Sequence, residues 1–161
     1  KKKSFCYWIL IFFCSYYRSL IFLVIKKKKI EILKDKLDIY VRYSETDPMS
    51  FVYHGNYVKY FEMGRISWLK KLGFSYKKME EDGIMLPVID LKINFKQSAL
   101  FDDKLTLITK LVKVPSYMIE FNYEILKDGK IITLGYTKLI FLNSKTNKPM
   151  RCPKKILDAI N

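Results

Sequence analysis

The densest gathering of reactive side chains is VRYSETDPMSFVYHGNYVKYFEMGR, residues 41–65. Asp47 leaves a predicted strand in a turn-rich stretch, and His54 immediately precedes a predicted helix. The first amides of a helix, here near His54 and Gly55, have no acceptor within it. They carry the positive end of the helix dipole and can polarise a carbonyl or hold a developing oxyanion. A carboxylate a few residues upstream can act there as base or nucleophile. By residue type alone other readings stay open. A single Asp in a turn is often a cap, and a single His is often structural.

Three kinds of element must position these groups. Asp38 to Arg42 (DIYVR) alternates polar and apolar residues, the pattern of a strand. From Asn56 the residues Tyr57, Tyr60, Phe61, Gly64, Trp68, Leu69 and Leu72 form an i, i+3, i+4 stripe, which predicts an amphipathic helix stopped by Gly73. A short helix over 75–81 follows. The period then changes to two. Strands are predicted over 85–95, 104–114, 117–126 and 131–142, with Asp128-Gly129 as a hairpin turn. Residues 143–149 read as a loop and 153–160 as a closing helix. One long helix needs a broad sheet to bury it, so the fold class is α+β.

The 41–65 segment resembles the signature of the 4-hydroxybenzoyl-CoA thioesterase family of hotdog-fold acyl-CoA thioesterases, including the Tol-Pal-associated type. The matching residues are Arg42, Tyr43, Glu45, Thr46, Asp47, Met49, Val52, Tyr53, His54, Tyr57, Tyr60, Phe61, Glu62 and Arg65. The likeness continues through LPVIDLKINFKQSALFDDKLTLIT and covers about residues 37–157. Two positions depart from the pattern: Ser50 stands where the family has glycine, and Ser98 where it has proline. A serine at position 50 is strained if the backbone there needs positive φ.

The resemblance implies a sheet of about five or six antiparallel strands wrapped round one central helix. It implies a homodimer or homotetramer with the acyl-CoA site at the subunit interface. Asp47 becomes the catalytic carboxylate, as nucleophile or general base. The His54 amide polarises the thioester carbonyl, and Tyr43 and the His54 side chain assist. Tyr53, Gly55 and Lys113 fall to substrate binding, Lys113 as a candidate for the CoA phosphates. No cofactor and no metal is called for. Plainer roles stand beside these. Tyr43 reads equally as a buried strand residue, Lys113 as a solvated strand lysine, and Glu62 with Arg65 as a helical ion pair. The aromatic stripe reads as core packing.

Composition bounds the rest. The 161 residues suit one domain, and three cysteines are too few for a disulfide scaffold. A single His excludes a multi-histidine metal site within one chain. The net charge is +14. Residues 1–36 hold ten Lys/Arg and two Asp/Glu, net +8, and residues 37–161 hold twenty and fourteen, net +6. The first segment is an arm in which an apolar run, residues 4–25, is interrupted by Arg18 and flanked by lysines. It is read as a membrane contact or anchor, or as a mis-assigned start, with no cleavable signal. The resemblance makes the body, residues 37–161, a hotdog thioesterase domain, expected in the cytoplasm, with membrane association if the arm is genuine. No nucleic-acid reader motif occurs. Two alternatives remain: an acyl-carrier-protein thioesterase, and a non-catalytic acyl-thioester-binding protein at the membrane.

Overall fold

The computed structural model describes residues 33–160. The N-terminal run 4–25, with its two cysteines, lies outside them. Among the described residues, no helix is long and apolar enough to cross a membrane.

The first strand, β1 (Lys34–Tyr40), leads through a single turn of 3-10 helix at Tyr43–Glu45 to the long helix α1 (His54–Lys71). β1 takes up residues 34–36, which charge counting assigned to the arm. A short helix α2 (Tyr76–Glu81) follows, its first turn capped by the Ser75 hydroxyl. Then come β2 (Ile84–Met85), β3 (Val88–Phe95), β4 (Lys104–Leu111), β5 (Met118–Lys127), β6 (Lys130–Ile140), β7 (Leu142–Asn143), β8 (Lys148–Pro149) and helix α3 (Lys154–Ile160).

Five strands make one sheet in the order β1-β4-β5-β6-β3, every neighbouring pair antiparallel. The run 85–95 is therefore two strands, because Pro87 interrupts it and the two pieces enter different sheets. β2, β7 and β8 form a small second sheet, where a plain loop was expected over 143–149. The β5–β6 turn is Asp128-Gly129 with φ of 50° and 75°. Positive φ at both central residues matches the right-handed twist of the strands it joins.

The sheet curls round α1. The apolar stripe is buried as its spacing requires: Tyr60, Phe61 and Trp68 have no exposed surface, and Tyr57 and Leu69 are 2% exposed. Phe61 stacks on Tyr123 at 4.4 Å between ring centroids, and Trp68 meets Phe121 edge-on at 5.1 Å. Helix and sheet approach so closely that a Cβ on Gly64 would strike Thr109 and Leu107, and one on Gly135 would strike the Phe61 ring. α3 closes one end of the core with Ile156 and Ile160. Cys152, just before it, is buried, and burial pushes its thiol up to about 12.

The two edges of the sheet differ. β1 is studded with Lys34, Asp35, Lys36 and Asp38, the charges that keep an edge from pairing. β3 exposes apolar side chains instead: Val88, Ile89, Leu91 and Phe95 are each 40–50% exposed.

Candidate active site

Asp47 sits on a tight loop between the 3-10 turn and α1. Its amide donates to the Phe51 carbonyl at 2.8 Å, and its own carbonyl accepts the Ser50 amide at 2.8 Å. Its carboxylate is used unequally. Oδ1 accepts the amides of Met49 at 2.9 Å and Phe51 at 3.3 Å. No donor among the described residues meets Oδ2. The loop turns so sharply that Ser50 has φ 66°, the conformation that favours glycine. The serine there is strained, as the departure from the family pattern implied.

α1 begins at His54, where the backbone of Tyr53 is still extended (φ −56°, ψ 131°). The Asn56 amide donates to the Tyr53 carbonyl at 2.9 Å, but nothing among the described residues accepts from the His54 and Gly55 amides. They are the open end of an 18-residue helix. The His54 ring is exposed and rests on the Tyr53 ring at 4.2 Å between centroids.

Asp47 and His54 line one cavity of about 300 Å³. Its other walls are Met49, Phe51, Val52, Tyr57, Phe95, Lys96, Gln97 and Ser98. The apolar part is anchored where Tyr57 meets Phe95 edge-on at 5.1 Å. The arrangement offers a half-exposed carboxylate with a free oxygen, a pair of unpaired amides, an apolar wall and a lysine. That set can hold a carbonyl compound with an apolar substituent and deliver a carboxylate or a water to it.

The remaining sequence candidates are distributed unevenly. Tyr53 and Gly55 flank His54 at the helix start. Tyr43 is 78% exposed, not a buried strand residue. It packs edge-on against Phe101 at 5.6 Å and is not part of the cavity wall. Lys113 is held by Glu120 at 3.0 Å. It lies two residues past the end of β4 and is not among the residues that line the cavity. Glu62 and Arg65 do pair, at 3.2 Å.

Sequence reasoning missed Tyr57, Phe95, Lys96 and Gln97 as wall residues. Tyr57 was visible only as core packing. The other three reach the site through the pairing of β3 with β6, where Phe95 stands opposite Thr133 and the Lys96 amide donates to Ile132. Among the described residues, no three His, Cys, Asp or Glu side chains come together to hold a metal.

Comparison with known proteins gives the chain its place. The family model described as thioesterase-like superfamily matches residues 41–160. YneP of Bacillus subtilis is 32% identical over 124 residues, covering 76% of this chain and 90% of that protein. The acyl-CoA thioesterase YbgC of Haemophilus influenzae is 27% identical over 122 residues, covering 75% and 90%. The crystal structure of a DHNA-CoA thioesterase from Staphylococcus aureus superposes with a TM-score of 0.71 at 40% identity, covering 73% of this chain and 80% of that one. With the matched segment spanning the Asp47 loop, the central helix and four of the five strands of the curled sheet, this hotdog-fold chain belongs to the thioesterase-like superfamily.

Proposed function

We propose that the chain hydrolyses acyl-CoA thioesters to a free carboxylic acid and CoA, with Asp47 as the reacting carboxylate and the first amides of α1 polarising the carbonyl. One observation carries this reading. Asp47 Oδ1 is held by two backbone amides while Oδ2 meets no donor among the described residues, and the cavity Asp47 lines is also lined by His54, the first residue of the helix. The thioester carbonyl oxygen takes the His54 amide. Asp47 removes a proton from water as the oxygen of that water bonds to the carbonyl carbon, or bonds to that carbon itself and is released by water in a second step. In either course the C–S bond breaks and the sulfur leaves as CoA thiolate, which is then protonated. The names of YbgC and of the staphylococcal thioesterase support the same substrate class.

The Tyr53 and Gly55 backbone shapes the carbonyl site, and Lys96 on the cavity wall is suited to the anionic CoA. A second copy of the chain pairs along β3. The support is an apolar edge strand whose last residue, Phe95, is also a cavity wall. Lys113, which is not on the wall of this cavity, then serves a site only from a neighbouring copy. Tyr43 assists from the rim. An acyl-carrier-protein substrate is the second reading, and the body's net +6 favours an acidic partner. The activity belongs to the body, in the cytoplasm where CoA thioesters are made and used.

The test is thiol release from a panel of acyl-CoAs, short aliphatic to aromatic, beside an acyl-carrier-protein thioester. Release from CoA thioesters supports the reading, and release from the carrier-protein substrate alone selects the alternative. No release from any substrate overturns both. A chain shortened to begin near Glu31 is expected to be as active as the full chain.

A further inference from the structure

Two residues before Asp47, Glu45 is only 5% exposed, although it lies in a turn-rich stretch of sequence. The proposed chemistry gives it no task. Its Oε2 accepts the Arg42 amide at 2.8 Å and the Tyr60 hydroxyl at 2.9 Å. Oε1 accepts the Arg42 guanidinium at 2.8 and 3.2 Å. Its backbone carbonyl accepts the Tyr53 amide at 2.9 Å and the Asn56 side-chain amide at 2.7 Å, and Asn56 is itself 5% exposed. One residue thus joins the exit of β1, the first turn of α1 and the middle of α1.

The hydrogen bonds that Asp47 makes all close within residues 47–51. They set the shape of its loop, not the place of that loop against the helix. The polar ties from the 42–47 segment to α1 and to the residue before it all run through Glu45: Tyr60 to its carboxylate, Tyr53 and Asn56 to its carbonyl. We infer that Glu45 is a positioning residue, whose carboxylate, anchored on Tyr60 and Arg42, fixes Asp47 against the first amides of α1. This rests on the thioesterase reading given above. Burial pushes the Glu45 carboxyl up, but the side-chain and amide hydrogen bonds of Arg42 and that of Tyr60 outweigh it and hold the group below its ordinary range. It therefore stays an acceptor throughout neutral pH. Its value to catalysis is geometric, since a displacement of about 1 Å at a reacting group can cost ~10²-fold in rate.

The test compares steady-state hydrolysis of an acyl-CoA by wild type, Asp47→Asn, Glu45→Gln, Tyr60→Phe, and each of the last two combined with Asp47→Asn. Glu45→Gln is expected to lower kcat at least about tenfold with KM within about threefold. Tyr60→Phe, which leaves the Arg42 pair intact, lowers kcat about threefold or more in the same pattern. In the Asp47→Asn background each change adds less than about twofold, because the effect passes through Asp47. An undiminished effect in that background shows a merely structural role and overturns the inference. So does a kcat within about twofold of wild type in both single variants. If Glu45→Gln does not fold, Tyr60→Phe decides by the same criteria. A wild type that releases no CoA overturns the thioesterase reading and this inference with it. An active wild type with an equally active Asp47→Asn overturns the role of Asp47 and the positioning role with it, and leaves only the acyl-CoA hydrolysis standing.

Discussion

Glu45 and Asp47 are two carboxylates two residues apart, and their surroundings are opposite. Every contact of Glu45 is satisfied: both oxygens are occupied, the side chain is buried, and its partners lie on two elements. Asp47 is half-exposed, its bonds are local, one of its oxygens meets no donor among the described residues, and it lines a cavity. A buried carboxylate with no free lone pair can do little but hold its neighbours in place. A carboxylate oriented through one oxygen and free at the other is ready to react. The difference comes from chain direction. The 3-10 turn at Tyr43–Glu45 brings Glu45 to the Tyr60 hydroxyl, whereas Asp47 lies in the tight bend closed at Ser50 and shares a cavity wall with His54.

Apart from Asp47 itself, the largest effect that sharpens this contrast is on the open side, at His54. It occupies the first helical position, where proline is well tolerated and where the preceding Tyr53 is already extended. His54→Pro removes the amide hydrogen and leaves the helix start in place. It is expected to lower kcat ~10²–10³-fold, the usual cost of losing one oxyanion donor. His54→Ala keeps that hydrogen and is expected to cost less than about tenfold. Equal losses in the two variants would assign the work to the imidazole and not to the backbone.

The closed side predicts stability instead. Removing the Glu45 charge leaves Arg42 and the buried Tyr60 hydroxyl short of an acceptor, so Glu45→Gln is expected to lose ~1–3 kcal/mol at pH 7 in urea unfolding. The pH dependence has a definite sign. The folded carboxyl titrates below its ordinary 4.5. Its contribution is therefore complete above that value and is lost as pH falls through the lower folded value. The gap in unfolding midpoint between wild type and Glu45→Gln is expected to narrow below pH 4.5 and to hold steady from pH 6 to 8. A gap that widens in acid would contradict the arrangement of donors round Glu45.

The smallest effect is at the bend. Ser50→Gly relieves a left-handed backbone at a small cost in chain entropy, for a net gain of about 0.5–1 kcal/mol. Its kcat is expected to stay within about twofold of wild type, measured beside the unfolding midpoint.

How much of this was legible in the sequence follows from the range of the interactions. α1 and the Asp128-Gly129 hairpin are local patterns, an i, i+3, i+4 stripe and a two-residue turn, and both appear where the residues put them. The strain at Ser50 was legible as well, because a serine replaces a glycine of the family pattern. Pro87 was passed over, so β2 and β3 read as one strand. Phe95 and Lys96 reach the cavity only when β3 pairs with β6 about 40 residues later, which no short window shows. Glu45 was read past for a different reason. In SETDPMS it is one polar residue among turn formers, and only the approach of Tyr60, 15 residues on, makes it a buried group. Arg42 and Tyr43 illustrate the converse: the motif drew attention to both, yet Arg42 serves Glu45 and Tyr43 faces solvent beside Phe101.

The central claim is that Asp47 is the reacting carboxylate, and one measurement tests it most directly. Single-turnover release of CoA from the best acyl-CoA of the panel is followed for wild type and Asp47→Asn at matched folded fraction. The amide is nearly the same size but can neither attack nor accept a proton. The account predicts a fall of ~10³-fold or more, over ~4 kcal/mol in barrier, with an unfolding midpoint close to that of wild type. A rate within about threefold of wild type in a folded Asp47→Asn would contradict it.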